Sequence, residues 1–311
     1  METESTVKIA LQVLAFNVDR SLHLMIENAK PYVDKIFIAY PELSWRHGSS
    51  RKSKNPTSYE EVAELADEHI EIIRDIWERD EDTRNSLLTA ARNQDFDWII
   101  IQDADEFYTD QSWEVLKTYL VSASAQNMSV INVPLYTFWK TPCFVIEETH
   151  HGIKAGEACF AINCRHGEIQ FTFSRTTNAK SIHYIDEPCY HYSYVLSDQE
   201  VKKKIKTWAH SNDFLIRNLW YEIKWKRWHQ SSKFLHPGSP WLWHRAIRFP
   251  LPQPPFARAL LENISAQQQD IGVFWACLET IYDHLSWWRK IINGSKRLLI
   301  ASLTKKTRQS H

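Results

Sequence analysis

Glycine is scarce in this chain, with 7 in 311 residues. Neither Gly-x-Gly-x-x-Gly nor Gly-x-x-x-x-Gly-Lys-Ser/Thr occurs, which excludes the dinucleotide fingerprint and the Walker loop. Any phosphate binding would rely on a metal rather than on a glycine cradle. Cysteine is sparse and odd in number: Cys143, Cys159, Cys164, Cys189 and Cys277, with no Cys-x-x-Cys pair. That argues against a disulfide framework and against a zinc knuckle, and fits a reducing compartment. No run approaches the ~18 uninterrupted apolar residues of a spanning helix. The opening Met1-Glu2-Thr3-Glu4-Ser5 is acidic and polar, with no apolar signal segment behind it. The reading is a cytoplasmic protein whose only contact with a membrane would be peripheral, on its inner face. Internal repeats and low-complexity tracts are also missing.

Aromatic mass, by contrast, is plentiful, with 14 Trp, 12 Tyr and 14 Phe, enough for a sizeable core. The formal net charge of −1 hides an asymmetry. Residues 201–311 carry 19 Lys/Arg against 6 Asp/Glu, and residues 1–200 carry the remaining 18 against 32. The length suits one α/β domain with an appendage. We place the domain at 1–215 and a basic, aromatic, helical extension at 216–311.

Strand and helix signals alternate over the first 135 residues. Val7–Ala15 is a strand. Asp19 or Ser21 caps a helix to about Tyr32, with Leu22, Met25, Ile26 and Ala29 on its inner face. Lys35–Tyr40 is a second strand, followed by a polar loop to Pro56. Thr57 or Ser58 starts a helix, and His69–Ile73 is a third strand. Asp82 or Thr83 caps a helix carrying Leu87, Leu88 and Ala91, which leads into a strand at Trp98–Gln102. Ser112–Ser124 is helical and Ser129–Tyr136 extended. Strands separated by helices imply a mostly parallel, doubly wound sheet. From Phe138 to Tyr194 the pattern shortens to runs such as Ala158–Ile162, Ile169–Phe173 and Ser181–Ile185, expected as antiparallel strands over the site. Ser197 or Asp198 opens a charged helix to about Leu215, and a last amphipathic helix begins near Asp270.

The fourth strand empties into Gln102-Asp103-Ala104-Asp105-Glu106, three carboxylates within four residues. Such a cluster repels itself unless a cation or donors compensate it. In open α/β sheets ligands bind beyond the carboxyl ends of strands, and Mg²⁺ or Mn²⁺ takes one or two protein carboxylates while phosphates and water fill the other positions. An acidic turn that caps the next helix is the plainer alternative. One helix upstream, Arg84-Asn85 could hold a phosphate at a helix N-terminus, or simply cap it.

The succession of a strand ending near Asn17, then "VDKIFIAY", "RDIWERDEDTRNSLLTAARNQDFDWIIIQDADEF" and "YHYSYVLSDQEVKKKIKTWAHSND", resembles the inverting family 2 glycosyltransferases of the GT-A fold. Its His-x-Ser segment is also similar to family 17 N-acetylglucosaminyltransferases. The resemblance is best over residues 7–135, fair over 183–213 and absent after about 215. It implies that Asp103 contacts the donor ribose or a metal-bound water, that Asp105 ligates Mn²⁺ or Mg²⁺, and that Asn17 lies near the base. Asp103 also stands among the metal ligand candidates, with His191 of Tyr190-His191-Tyr192-Ser193 as a third; a packed core histidine is the alternative. The family's acidic turn after strand two is replaced here by Pro41-Glu42-Leu43-Ser44-Trp45, which leaves the base open.

Inverting transfer needs a base for the acceptor hydroxyl. The candidates are Glu147-Glu148, Glu157 and Asp186-Glu187; Asp186 is favoured, Glu148 next. His150-His151 is an alternative to His191. On the helix after Ser197, Lys202, Lys206, His210 and Asp213 share a face on which Lys206 could close over a diphosphate, while Lys202–Lys204 reads as solvated. Beyond it Trp220, Lys224, Trp225, Arg227, Trp228, Lys233, Trp241, Trp243, Arg245 and Arg248 interleave aromatics with cations. That mixture suits an anionic membrane surface, glycan stacking, or packing on the domain. No nucleic-acid recognition motif appears, so none is expected as a partner. The expected activity is transfer of a sugar from a nucleotide-sugar donor to a glycan or lipid-linked acceptor. A non-catalytic glycan-binding scaffold is the alternative, and a nucleotidyltransferase is disfavoured by the missing glycine signature.

Overall fold

The computed structural model describes residues 7–18, 21–45, 53–147, 156–207, 217–236, 242–251, 254–255, 257, 275 and 277–285. The chain alternates as expected: β1 (Ile9–Leu14), α1 (Ser21–Ala29), β2 (Lys35–Pro41), α2 (Tyr59–Ala63), β3 (Ile70–Asp75), α3 (Asp80–Asn93) and β4 (Trp98–Ile101). A short β5 (Glu106–Phe107) follows the acids, then α4 (Asp110–Val121) and the long β6 (Val130–Trp139). Strands β7 (Thr141–Glu147), β8 (Gly156–Asn163), β9 (Phe171–Phe173), β10 (Thr176–Thr177), β11 (Ile182–Tyr184) and β12 (Cys189–Tyr194) come next. Last are α5 (Asp198–Thr207), α6 (Arg217–Trp220), which continues as a π-helix over Tyr221–Lys226, β13 (Arg245–Arg248), and α7 (277–285).

The main sheet has the order β13-β7-β6-β8-β4-β1-β2-β3. Its β4-β1-β2-β3 half is parallel, the product of helical crossovers. Strand β8 runs antiparallel between β4 and β6, and β7 and β13 extend the antiparallel side. The fold is thus α/β with a parallel half and an antiparallel continuation. Period-two alternation sorts β1 between two cores: Ile9, Leu11 and Val13 face one, Ala10 and Leu14 the other. Helices α1 and α4 cover the first face through Leu22, Met25, Ile26, Trp113 and Leu116. Helix α3 covers the second through Leu87, Leu88 and Ala91.

Two local expectations are corrected. Helix α3 starts at Asp80, before the expected Asp82 cap, because the Asp82 side chain turns back to accept from the Arg79 N–H at 3.1 Å. Residues 181–185 do not pair antiparallel: β11 runs parallel to β6, as does β12. Part of the aromatic stretch after residue 216 is core, while its Lys226, Lys233, Arg245 and Arg248 are exposed. Trp220, Trp225 and Trp228 are buried with Trp139, Tyr194, Val201 and Ile205, and Lys224 is buried too. Of the readings for that stretch, packing on the domain is the one realised by these residues; Trp241 lies outside the described residues. No described helix is long and apolar enough to cross a membrane.

Candidate active site

Strand order reverses around β1: β2 and β3 lie on one side and β4 on the other. The crevice beyond the carboxyl ends of β1 and β4 is therefore a topological switch point. Asn17 leaves β1 there in the left-handed region at φ +53°, its N–H donating to the Asn55 Oδ1 at 3.1 Å. Asn55 also donates to the Ala15 and Pro41 carbonyls, tying the ends of β1 and β2 together. Phe16 and Trp45 meet beside it with ring centroids 5.4 Å apart.

The acids after β4 are individually compensated. Arg84, buried on α3, donates to both Asp103 oxygens at 3.0 and 3.4 Å and to Asp80 at 3.0 Å. Arg175 lies 3.6 Å from Asp103 and pairs closely with the buried Glu106. Burial alone would raise the Asp103 pKa, but the two guanidinium groups outweigh it and hold it at about 2. Glu106 is pushed up by burial and by Asp103 despite Arg175. Its carboxylate also accepts the Asp103 N–H at 3.1 Å, so it shapes the turn from inside.

Asp105 points to a different set. Its Oδ1 lies 3.5 Å from the His191 Nε2 and its Oδ2 lies 3.8 Å from the Lys204 Nζ. Strand β12 brings His191 there by pairing with β5, His191 opposite Glu106, and the Tyr192 N–H donates to the Asp105 carbonyl at 2.8 Å. The other ring nitrogen, Nδ1, is 3.3 Å from the Thr137 hydroxyl, which orients the imidazole.

The structure thus brings Arg84, Asp103, Asp105 and His191 together. Asn17 lies at the neighbouring strand end. Asn85 faces elsewhere: its amide clasps the Phe171 backbone, donating to the carbonyl at 2.9 Å and accepting the N–H at 2.8 Å. Lys206 is exposed, with no hydrogen bond or ion pair to another described residue. Asp186 is exposed in the link between β11 and β12, and its charge adds to the burial that raises the hydroxyl pKa values of Tyr136 and Tyr184. Glu148, His150, His151, His210 and Asp213 lie outside the described residues.

Two residues at the site were not legible as such. Arg175 sits in the β9–β10 turn after Ser174, whose φ is +47° and whose hydroxyl donates to Asp80 at 2.9 Å. From there it also reaches the Ile101 and Cys159 carbonyls at 3.1 and 3.0 Å. A lone arginine some 70 residues after the acids carries no spacing signal. Lys204, read as part of a solvated face, is the α5 lysine that turns toward Asp105.

No protein-family model and no curated protein matches the chain. Several solved structures overlap it loosely. Residues 1–349 of S. aureus TarS align over 71% of this chain and 73% of that one, with a TM-score of 0.38 and 11% identity. A 4-diphosphocytidyl-2C-methyl-D-erythritol synthase from Anaerococcus prevotii aligns over 64% and 96%, with a TM-score of 0.34 and 8% identity. A mannose-1-phosphate geranyltransferase from Thermus thermophilus aligns over 51% and 58%, with a TM-score of 0.32 and 14% identity. At scores and identities this low, none of them assigns an activity to this chain.

Proposed function

We propose that the chain is a metal-dependent glycosyltransferase of GT-A type that moves a sugar from a nucleotide-sugar donor to a glycan or lipid-linked acceptor, with inversion. The observation that carries this reading is the pairing, at the switch point, of an ionised Asp103 braced by arginines with an Asp105–His191 couple 3.5 Å apart. The carboxylate suits Mn²⁺ or Mg²⁺, and the imidazole, oriented by Thr137, favours Mn²⁺ of the two. Among the described residues no group of three or more His, Cys, Asp or Glu could hold a metal, so the donor's diphosphate and water would complete the shell. Asp103, expected also as a metal ligand, is engaged by Arg84 and Arg175, which suits it to accept a ribose hydroxyl instead. The bound metal would neutralise charge on the departing diphosphate.

The base is assigned to Asp186, an exposed carboxylate in the segment that leads into β12 and His191. The test is release of nucleoside diphosphate from UDP-, GDP- and TDP-sugars with Mn²⁺ present and with it chelated. Asp186→Asn should lower turnover by about 10²–10⁴-fold, the usual worth of general base catalysis, with donor affinity unchanged. Undiminished turnover in that variant would move the base elsewhere. Anionic vesicles test the peripheral-membrane reading: absence of co-flotation at low salt would remove it.

A further inference from the structure

Helix α5 carries Lys202, Lys203, Lys204 and Lys206, and the structure distinguishes them. Val201 and Ile205 are buried in the third core and fix the helix in rotation, while Asp198 at its start accepts the Trp225 indole N–H at 2.8 Å. Lys202 stacks over the Tyr221 ring at 4.6 Å, and Lys203 and Lys206 are exposed. Only Lys204 of the four turns inward to the acids. Its ammonium donates to the Ser193 carbonyl at 2.6 Å and to the Ser193 hydroxyl at 2.8 Å, and it lies 5.0 Å from the Tyr194 ring centroid. Ser193 is two residues from His191 on β12, across an irregularity in that strand's pairing with β6. The two bonds to Ser193 hold the charge 3.8 Å from the Asp105 carboxylate.

We propose that Lys204 is the residue that makes the site select a nucleoside diphosphate over a monophosphate; this deepens the proposed function and rests on it. A divalent ion held by Asp105 and His191 would share the Asp105 carboxylate with the Lys204 ammonium, and two cations on one carboxylate repel one another in a partly desolvated site. An anion that contacts both relieves the repulsion. A nucleoside diphosphate can meet the metal with one phosphate and Lys204 with the other, whereas a nucleoside monophosphate has a single phosphate to share between them. Before donor binds, Lys204 pairs with Asp105 and partly offsets the charge that a metal would otherwise offset. It thereby weakens metal binding in the absence of nucleotide and couples metal to diphosphate. As a positioned donor of fixed geometry it would act on the departing diphosphate without reorganising.

The test is calorimetric titration of each nucleoside mono- and diphosphate pair at saturating Mn²⁺, and of Mn²⁺ alone, into wild type, Lys204→Met and Lys204→Arg. Wild type should prefer one diphosphate at least about tenfold, Lys204→Met should lose most of that preference with monophosphate affinity unchanged, and Lys204→Arg should recover part of it. Mn²⁺ alone should bind Lys204→Met more tightly than wild type, an effect that a merely structural lysine would not give. A preserved preference in Lys204→Met, or an equal loss for mono- and diphosphate, would overturn the assignment while leaving the nucleotide site standing. Failure of folded wild type to bind any nucleotide would instead overturn the functional reading and this inference with it.

Discussion

Arg175 decides how three carboxylates share one turn. Its guanidinium bridges Glu106 and Asp103 while holding two strand carbonyls, and Glu106 is the most deeply buried of the acids. Arg175→Met would leave Glu106 buried without its cation, which costs about 3–5 kcal/mol when one partner of a buried pair is removed. Urea unfolding should register that loss, and a change below about 1 kcal/mol would show that the pair is dispensable. At this scale the sequence was legible in part. Asp103 and Asp105 could be picked out because strand periodicity locates the exit of β4, and Arg84 and His191 because the resemblance to glycosyltransferases pointed to the helix before that strand and to the Tyr190-His191-Tyr192-Ser193 segment. Arg175 and Lys204 could not. Their positions follow from a left-handed turn residue and from the rotation of α5, neither of which leaves a residue-type pattern. Asn85 could be found but not read, since hydrogen bonding to a distant strand looks the same in sequence as phosphate binding.

At the scale of elements, the β9–β10 hairpin is the part that carries Arg175 to the acids, and α3 anchors it. Asn85 clasps the Phe171 backbone, and Asp80 takes the Ser174 hydroxyl. Asn85→Ala removes both amide bonds and leaves a strand N–H and carbonyl to find other partners, a cost on the order of 1–3 kcal/mol. Hydrogen exchange should speed up at residues 171–177 ahead of the rest of the sheet; uniform protection in the variant would contradict the anchoring role. The parallel elements were well read because hydrophobic runs separated by capped helices leave few topologies. The antiparallel elements were read in part: β8 and β9 were located and pair antiparallel as expected, whereas β13 was not singled out and β11 runs parallel to β6. Short strands of three or four residues have too few alternations to fix a partner, so long-range pairing with β6 decides.

On the scale of the whole molecule, the C-terminal segment is bound to the sheet by a third core and by a buried ionic cluster. The Lys224 ammonium meets Glu279 and Asp283 of α7 at 2.8 and 2.7 Å, and His229 lies 3.2 Å from Glu279. Burial raises the Asp283 pKa to about 6, against the pull of Lys224, with Glu279 adding to the rise and His284 opposing it. A carboxyl raised in the folded state binds more protons there than in the unfolded chain, so its contribution to stability is largest below about pH 4 and is lost as pH rises through about 6. Asp283→Asn should flatten the pH dependence of urea stability between about pH 4 and 6. An unchanged slope in that window would refute the assignment. Composition foretold a basic, aromatic C-terminal segment, yet it could not tell a wet surface from a core, because the same Trp and Lys serve both until a partner such as Trp139 or Glu279 is placed beside them.

Titration calorimetry of UDP, GDP and TDP, with and without Mn²⁺, into wild type and Asp105→Ala tests the proposed metal-assisted nucleotide site at Asp105. One nucleotide should bind wild type only with Mn²⁺, and the folded Asp105→Ala protein should lose this binding. Equal affinity in the variant, or binding by wild type that ignores Mn²⁺, would contradict the proposed site.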